Sequence, residues 1–440
     1  MNNPNEHKLV PWINRLGLLY AFILPLKLSI AYGIFVPLIL IWLYSIRGRV
    51  ISEIRKFPSA LITPLIFWIG VCFLSGFFGV DPLNSFSKNL RSLFGFSSIV
   101  VFYGIAQRIG FLRILTALLS GQALASIHSV ISPALPEQFQ RIFLGEVTES
   151  GQLALNVIIA FGVLTYVFYK NETRQSNKPI LLGVLNLVLF VSFSFLAKNN
   201  SDSFVIFLIL SLVSFLVSIF LSLRSYQRTN SLLVFFTTLV VPLLCSALLV
   251  NLKRGPWFGV TCACILLLSR YHKRWVIPIL LVFVTLFSAV TPIRSRIMDS
   301  YKHFVIAGGR SEMWQIGVEL SAKFPIGIGI DNSELMRSFD KRIPPEHRHF
   351  HNNFINILVE TGWAGLILYL CWIFAIFKAG LRNREQFPES FMLYSFAAAI
   401  LSWQIAGIFE YNFGDSEVIL LVFILIGSMA SLLKTEKVAQ

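Results

Sequence analysis

The chain has 440 residues, 55% of them hydrophobic and 13% charged, with a mean hydropathy of +0.71. These proportions exclude a soluble globular enzyme and mark an all-α, polytopic transmembrane helix bundle. The formal charge of +15 is what basic loops facing an anionic leaflet produce, so membrane lipids are the expected surroundings and no nucleic-acid partner follows.

Apolar runs of about 20 residues, the length that crosses a bilayer, predict about 12 to 14 spans. In chain order they fall near residues 12–28, 30–45, 59–79, 90–106, 111–131, 152–169, 179–197, 203–222, 231–250, 256–269, 275–291, 352–377, 391–410 and 416–433. The tight first pair around Leu28 and the 256–269 run are the weakest, and either fits a re-entrant or broken helix. Residues 1–11 are polar and no small-residue cleavage site follows the first run, so that run reads as a retained helix. The five cysteines, Cys72, Cys245, Cys262, Cys264 and Cys371, lie in or beside apolar runs and behave as small hydrophobes rather than a metal or disulfide framework. The pattern divides the chain into a bundle over 1–291, a long polar loop over 292–350 and a C-terminal group of helices over 351–440.

With the N-terminus placed inside, more than half of the 37 Lys and Arg residues collect in cytoplasmic loops, among them Arg15, Arg47, Arg108, Arg174, Arg274, Arg382, Arg384 and Lys437. The 292–350 loop breaks this rule, since it holds Arg294, Arg296, Lys302, Arg310, Lys323, Arg337, Lys341, Arg342 and Arg348. A loop of about 60 residues is translocated despite its charge, so the topology stands and the charge calls for a chemical reason.

Three outward-facing elements have residues suited to chemistry. The first is Asn251-Leu-Lys-Arg-Gly-Pro-Trp257. There Arg254 lies at a helix start, where free amides, a positive dipole end and a planar guanidinium suit an anion. An interfacial Lys253–Arg254 pair reaching for headgroups, with Trp257 as a belt residue, explains the same residues equally well. The second is Gly308-Gly-Arg-Ser-Glu-Met-Trp314, which predicts an amphipathic helix ending before Pro325, with Arg310 at its start and Ser311 as a candidate cap. A solvated surface arginine is the competing reading. The third begins Glu346-His-Arg-His-Phe-His-Asn-Asn-Phe354 and leads into a helix bearing Gly362 and Gly365, small residues that suit close helix packing in a membrane. His347, His349 and His351 alternate, so an extended strand would put them on one face; one imidazole, His351 first, fits a general base near neutral pH, with a satisfied structural histidine as the alternative reading. Three histidines with no nearby carboxylate or cysteine pattern are a weak metal signal, and no metal is expected.

Arg254-Gly-Pro-Trp257, Gly309-Arg310 with Trp314, Pro325-x-Gly-x-Gly329, His351-Asn352 ahead of Gly362-x-x-Gly365, and Gly407-Ile-Phe-Glu-Tyr-Asn-Phe-Gly-Asp415 together resemble the O-antigen ligase and polymerase superfamily of bacterial inner membranes. The resemblance covers about 240–433. It implies a metal-independent, inverting glycosyltransferase that needs no cofactor and works on the periplasmic face. The expected donor is a glycan on undecaprenyl diphosphate, and the expected acceptor is lipid A-core. Arg254, Arg310 and His351 would be catalytic, and Lys253, Trp257, Trp314, His347, His349, Asn352 and Glu410 would bind substrate. The ligase reading leads. An O-antigen polymerase, a protein O-oligosaccharyltransferase and, outside enzymes, a lipid-linked glycan flippase or a membrane scaffold are the alternatives.

Overall fold

The computed structural model describes residues 4–46, 49–140, 142, 145–170, 178–199, 203–225, 228–289, 291–306, 308–381 and 387–434. Arg47, Arg174, Arg382, Arg384 and Lys437, counted above for orientation, lie outside the described residues.

Among the described residues every regular element is helical. The first half runs α1 (Pro4–Ile23), α2 (Leu28–Ile46), α3 (Val50–Lys56), α4 (Ser59–Phe78), α5 (Pro82–Ile109), α6 (Phe111–Ile131), α7 (Glu146–Lys170), α8 (Lys178–Lys198) and α9 (Phe204–Arg224). The second runs α10 (Arg228–Phe235), α11 (Val241–Val250), α12 (Arg254–Tyr271), α13 (Val276–Ala289), α14 (Thr291–Val305), α15 (Arg310–Lys323), α16 (Met336–Phe339), α17 (Asn353–Gly380), α18 (Glu389–Phe409) and α19 (Ser416–Lys434). A five-residue π turn, Phe236–Val240, joins α10 to α11 just before Pro242, whose missing N–H interrupts the regular ladder.

Eleven of these segments are long and apolar enough to cross a membrane, fewer than the 12 to 14 read from the sequence. The other three predicted runs, α1, α12 and α13, also form helices but are too polar or too short to meet that measure. α1 carries Lys8, Asn14 and Arg15, and α12 opens on Arg254. The 14 residues of α13 rise only about 21 Å against a hydrocarbon core of about 30 Å. α12 still runs the depth of the bundle. It packs on α18 so closely that a Cβ at Gly259 would lie 2.2 Å from the Ser402 carbonyl, and Tyr271 at its far end packs edge-on against Phe391 and Tyr394.

Bilayer-facing helices gain little from hydrophobic burial against one another, so polar pairs and small residues tie them together. Asn186 of α8 donates to Ser218 of α9 (2.9 Å) and to the Thr238 carbonyl. The helix ends sort onto two faces. On one, Val80 donates to Ile328 and Asn251 to Glu149. On the other, Arg108 bonds Asn14, Gln107 bonds the Ser431 carbonyl and Lys170 pairs with Glu389.

The polar segment between α14 and α17 lies on the first face and has its own small core of Met313, Ile316, Leu320, Ile328, Met336, Ile343, Phe350 and Val359. It is anchored through a break in α17. Gly362 takes φ 68° and ψ −174°, a conformation open essentially to glycine alone, which frees the preceding carbonyls. Ile328 N–H then donates to Val359, Gly329 N–H to Glu360, and Trp363 N–H to Pro325. The sequence reading gave Gly362 a packing role, whereas here it opens the helix to receive this loop. Asn332 completes the seat by donating to Ile328, Ser85 and Asp81.

Candidate active site

Arg310 is the first residue of α15, as its position after two glycines predicts. Ser311 does not cap the helix; its hydroxyl donates to the Phe304 carbonyl (2.7 Å), and Glu312 accepts from Gly308 N–H (2.8 Å). Arg254 is likewise the first residue of α12, with Lys253 at the N-cap. The two arginines meet across a cavity of about 290 Å³ whose wall also includes Arg296, His347 and His351. Arg296 belongs to α14 and entered the sequence reading only as loop charge; its place on the helix face turned toward Arg254 emerges from packing.

The three histidines do not share a strand face. They sit in an irregular turn, with the His349 and His347 rings 4.4 and 4.9 Å from that of His351. His351 Nδ1 lies 2.9 Å from Glu410 Oε1, and its Nε2 lies 3.1 Å from His347 Nδ1. Arg310 approaches the other oxygen of Glu410 at 3.8 Å. Burial works against ionisation of Glu410. The hydrogen bond from His351 and the charges of His351, His349 and Arg310 outweigh it and hold the carboxyl below its usual range. Burial, reinforced by His351, pushes His349 down to about 4 and also lowers His347, so both are neutral near pH 7. A neutral His347 can donate its Nδ1 proton to His351 Nε2. His351 Nδ1–H then points at Glu410, the tautomer that leaves Nε2 as an acceptor.

Other expected site residues take different places. Asn352 is nearly buried and caps α17, its oxygen accepting from Phe354 N–H (2.8 Å) and Ile355 N–H (3.1 Å). Trp257 is buried and donates to the Leu248 carbonyl (2.7 Å), stapling α11 to α12, so the structure does not bring it to the cavity. Trp314 packs edge-on against Phe304, its ring centroid 5.4 Å away. Lys253 lines a second groove of about 430 Å³ that shares Arg254, Arg296 and Arg310 with the first. Beside Glu410 and Ser150, its walls include the apolar or aromatic Pro256, Phe258, Tyr301, Phe304 and Phe409, and Tyr301 is 75% exposed. Arginines at the head of an apolar groove suit a phosphorylated headgroup on a lipid chain.

His349, His351 and Glu410 place ligand atoms within 4.8 Å of one another, and two imidazoles with a carboxylate are a donor set that zinc accepts. The sequence reading found no carboxylate near the histidines because Glu410 arrives from 59 residues away.

Residues 203–370 match the protein-family model described as O-antigen ligase. A candidate polysaccharide ligase of Rickettsia conorii is 24% identical over 288 residues, covering 59% of this chain and 67% of that protein. A similarly named protein of Rickettsia felis is 24% identical over 289 residues, covering 59% and 68%. The exopolysaccharide production protein ExoQ of Rhizobium meliloti is 32% identical over 104 residues, covering 21% of this chain and 24% of that one. The matched span contains Arg254, Arg296, Arg310 and His351, which agrees with the resemblance read from the motifs.

Proposed function

We propose, on the premise that residues 203–370 form a domain of the O-antigen ligase family in a multi-pass membrane protein, that the chain is an O-antigen ligase. It moves a glycan from undecaprenyl diphosphate to a lipid A-core hydroxyl on the periplasmic side of the inner membrane. The observation that carries this reading is the meeting of Arg254, Arg296 and Arg310 around one cavity whose wall holds His351, itself bonded to Glu410.

The arginines receive the donor diphosphate, with its lipid chain in the adjoining aromatic groove. His351 Nε2 exchanges its bond to His347 for the acceptor hydroxyl. As the acceptor oxygen attacks the anomeric carbon, its proton passes to Nε2. The bond from that carbon to the diphosphate oxygen breaks, and the electron pair stays on the leaving group. Charge grows on the diphosphate through this step, and the arginines stabilise it most where it is greatest. Glu410 holds the imidazole in the productive tautomer and compensates the imidazolium as it forms. Protein charges alone perform the proposed chemistry, so metal and nucleotide are not required.

The test is reconstitution of the purified chain with undecaprenyl-diphosphate-linked glycan and lipid A-core, in chelator and without nucleotide. Glycan on lipid A-core supports the ligase. Longer glycan on undecaprenyl diphosphate would replace it with a polymerase, and dependence on added metal would replace the mechanism.

A further inference from the structure

One donor atom from each of His349, His351 and Glu410 lies within 4.8 Å of the other two. His351 Nδ1 is 2.9 Å from Glu410 Oε1, and His349 Nε2 is 4.0 Å from the same oxygen. Tetrahedral zinc with bonds of about 2.0–2.1 Å holds its donors about 3.3 Å apart, so a change of less than about 1 Å in each measured spacing admits the ion. Two imidazoles and a carboxylate leave the fourth position to water. All three side chains are partly exposed, which gives an ion a way in.

The surroundings also suit a metal. A histidine that binds through one nitrogen keeps its proton on the other and needs a partner for it. For His351 bound through Nδ1 that partner is already in place, because its Nε2 lies 3.1 Å from His347 Nδ1. His349 bound through Nε2 carries its proton on Nδ1 and gives up only a long 3.3 Å bond from the His351 N–H. Glu410 supplies negative charge, and its other oxygen stays beside Arg310 at 3.8 Å. Arg310, Arg254 and Arg296 repel a dication, so the affinity should fall short of that of a closed structural site.

Such an ion acts on the base itself. With Nδ1 on the metal, the one proton of neutral His351 sits on Nε2, which then has no lone pair for an acceptor hydroxyl. Glu410 is drawn to the ion at the same time. We propose that His349, His351 and Glu410 form an inhibitory zinc site, which stops transfer by fixing His351 in the wrong tautomer. The site follows from the placement of the donors, whereas the inhibition rests on the reading of His351 as the base of glycan transfer.

The experiment uses the full purified chain, stripped of metal with chelator and returned to vesicles, with zinc as the probe. Equilibrium dialysis should show one more zinc per chain in wild type than in His349→Asn or Glu410→Gln. Excess magnesium should not displace it, since that ion prefers six oxygen ligands. Equal uptake in all three proteins would put the ion elsewhere and overturn the site. Zinc-edge X-ray absorption asks the same of wild type alone: nitrogen and oxygen at about 2.0–2.1 Å are expected, and sulfur at about 2.3 Å contradicts the site. In the transfer assay, zinc should lower the wild-type rate at least about tenfold, with recovery in chelator. His349→Asn, compared with its own zinc-free rate, should need about tenfold more zinc for the same loss. Zinc held at these residues that leaves the rate unchanged, or raises it, overturns the inhibition. Zinc uptake lost in both variants, in a wild-type chain that transfers no glycan even in chelator, would sink the glycosyltransferase reading and leave the metal site standing.

Discussion

His351 takes a backbone φ of 49°, a left-handed conformation that costs a non-glycine residue about 1–3 kcal/mol. The return is position, because that turn puts the imidazole between Glu410 and His347 while Asn352 starts α17. Glu410→Gln keeps the shape but removes the charge opposite a forming imidazolium. Its turnover should fall roughly 10²- to 10⁴-fold with little change in donor KM, measured by steady-state transfer in vesicles. Arg310→Lys keeps a charge but loses the planar fork and should remain well below wild type in the same assay. The neutral His349 gives a pH signature. With its pKa at about 4 in the fold, below the ordinary 6.5, its contribution to stability is complete above about 6.5 and lost as the pH falls toward 4, because the unfolded chain binds the proton first. Glu410 acts in the same sense, its contribution vanishing as the pH drops through its own lowered value. The melting temperature should therefore fall over that interval, and His349→Asn should flatten the fall; an unchanged slope would contradict the assignment. Arg254, Arg310 and His351 were legible in the sequence because each sits at a helix boundary. The partners were not. Glu410 reaches His351 and Arg296 reaches Arg254 only through tertiary packing.

The element that organises the site is the broken α17. A Cβ at Gly362 would lie 2.2 Å from the Pro325 carbonyl, and one at Gly327 2.3 Å from that of Glu360, so neither contact can relax without moving backbone. Gly362→Ala adds a strained φ to this overlap and should cost more than about 2 kcal/mol at the loop seat. The measurable result is faster amide exchange over 325–332 with α18 and α19 unaffected; unchanged exchange there would show that the break does not hold the loop. Sequence spacing found the glycines but could not distinguish close packing from a positive φ, since both favour the same residue. The long apolar spans were readily legible from their runs. α12 and α13 were the less legible runs, because they are helices of marginal polarity or length and the place of α12 in the bundle is set by neighbours such as Ser402.

Across the whole molecule, the arginine cavity and its aromatic groove lie at the face that carries the 292–350 segment. The basic short loops support the proposal that this face is outside. With native cysteines replaced, a cysteine at Glu346 should react with an impermeant maleimide in intact cells, and one at Arg55 only after permeabilisation; the opposite pattern would invert the orientation. A transporter would spread its charges through both leaflets, whereas here Arg254, Arg296 and Arg310 gather at one cavity beside His351. That juxtaposition is the physical basis of the proposed transfer. The deciding measurement is the single-turnover rate of glycan transfer in vesicles for wild type, His351→Ala and Arg310→Ala at saturating donor and acceptor. Folded, donor-binding His351→Ala with transfer lost, and Arg310→Ala slowed about 10²- to 10³-fold, are the predicted results. Wild-type rates in both variants would contradict the claim that this is where the glycan is transferred.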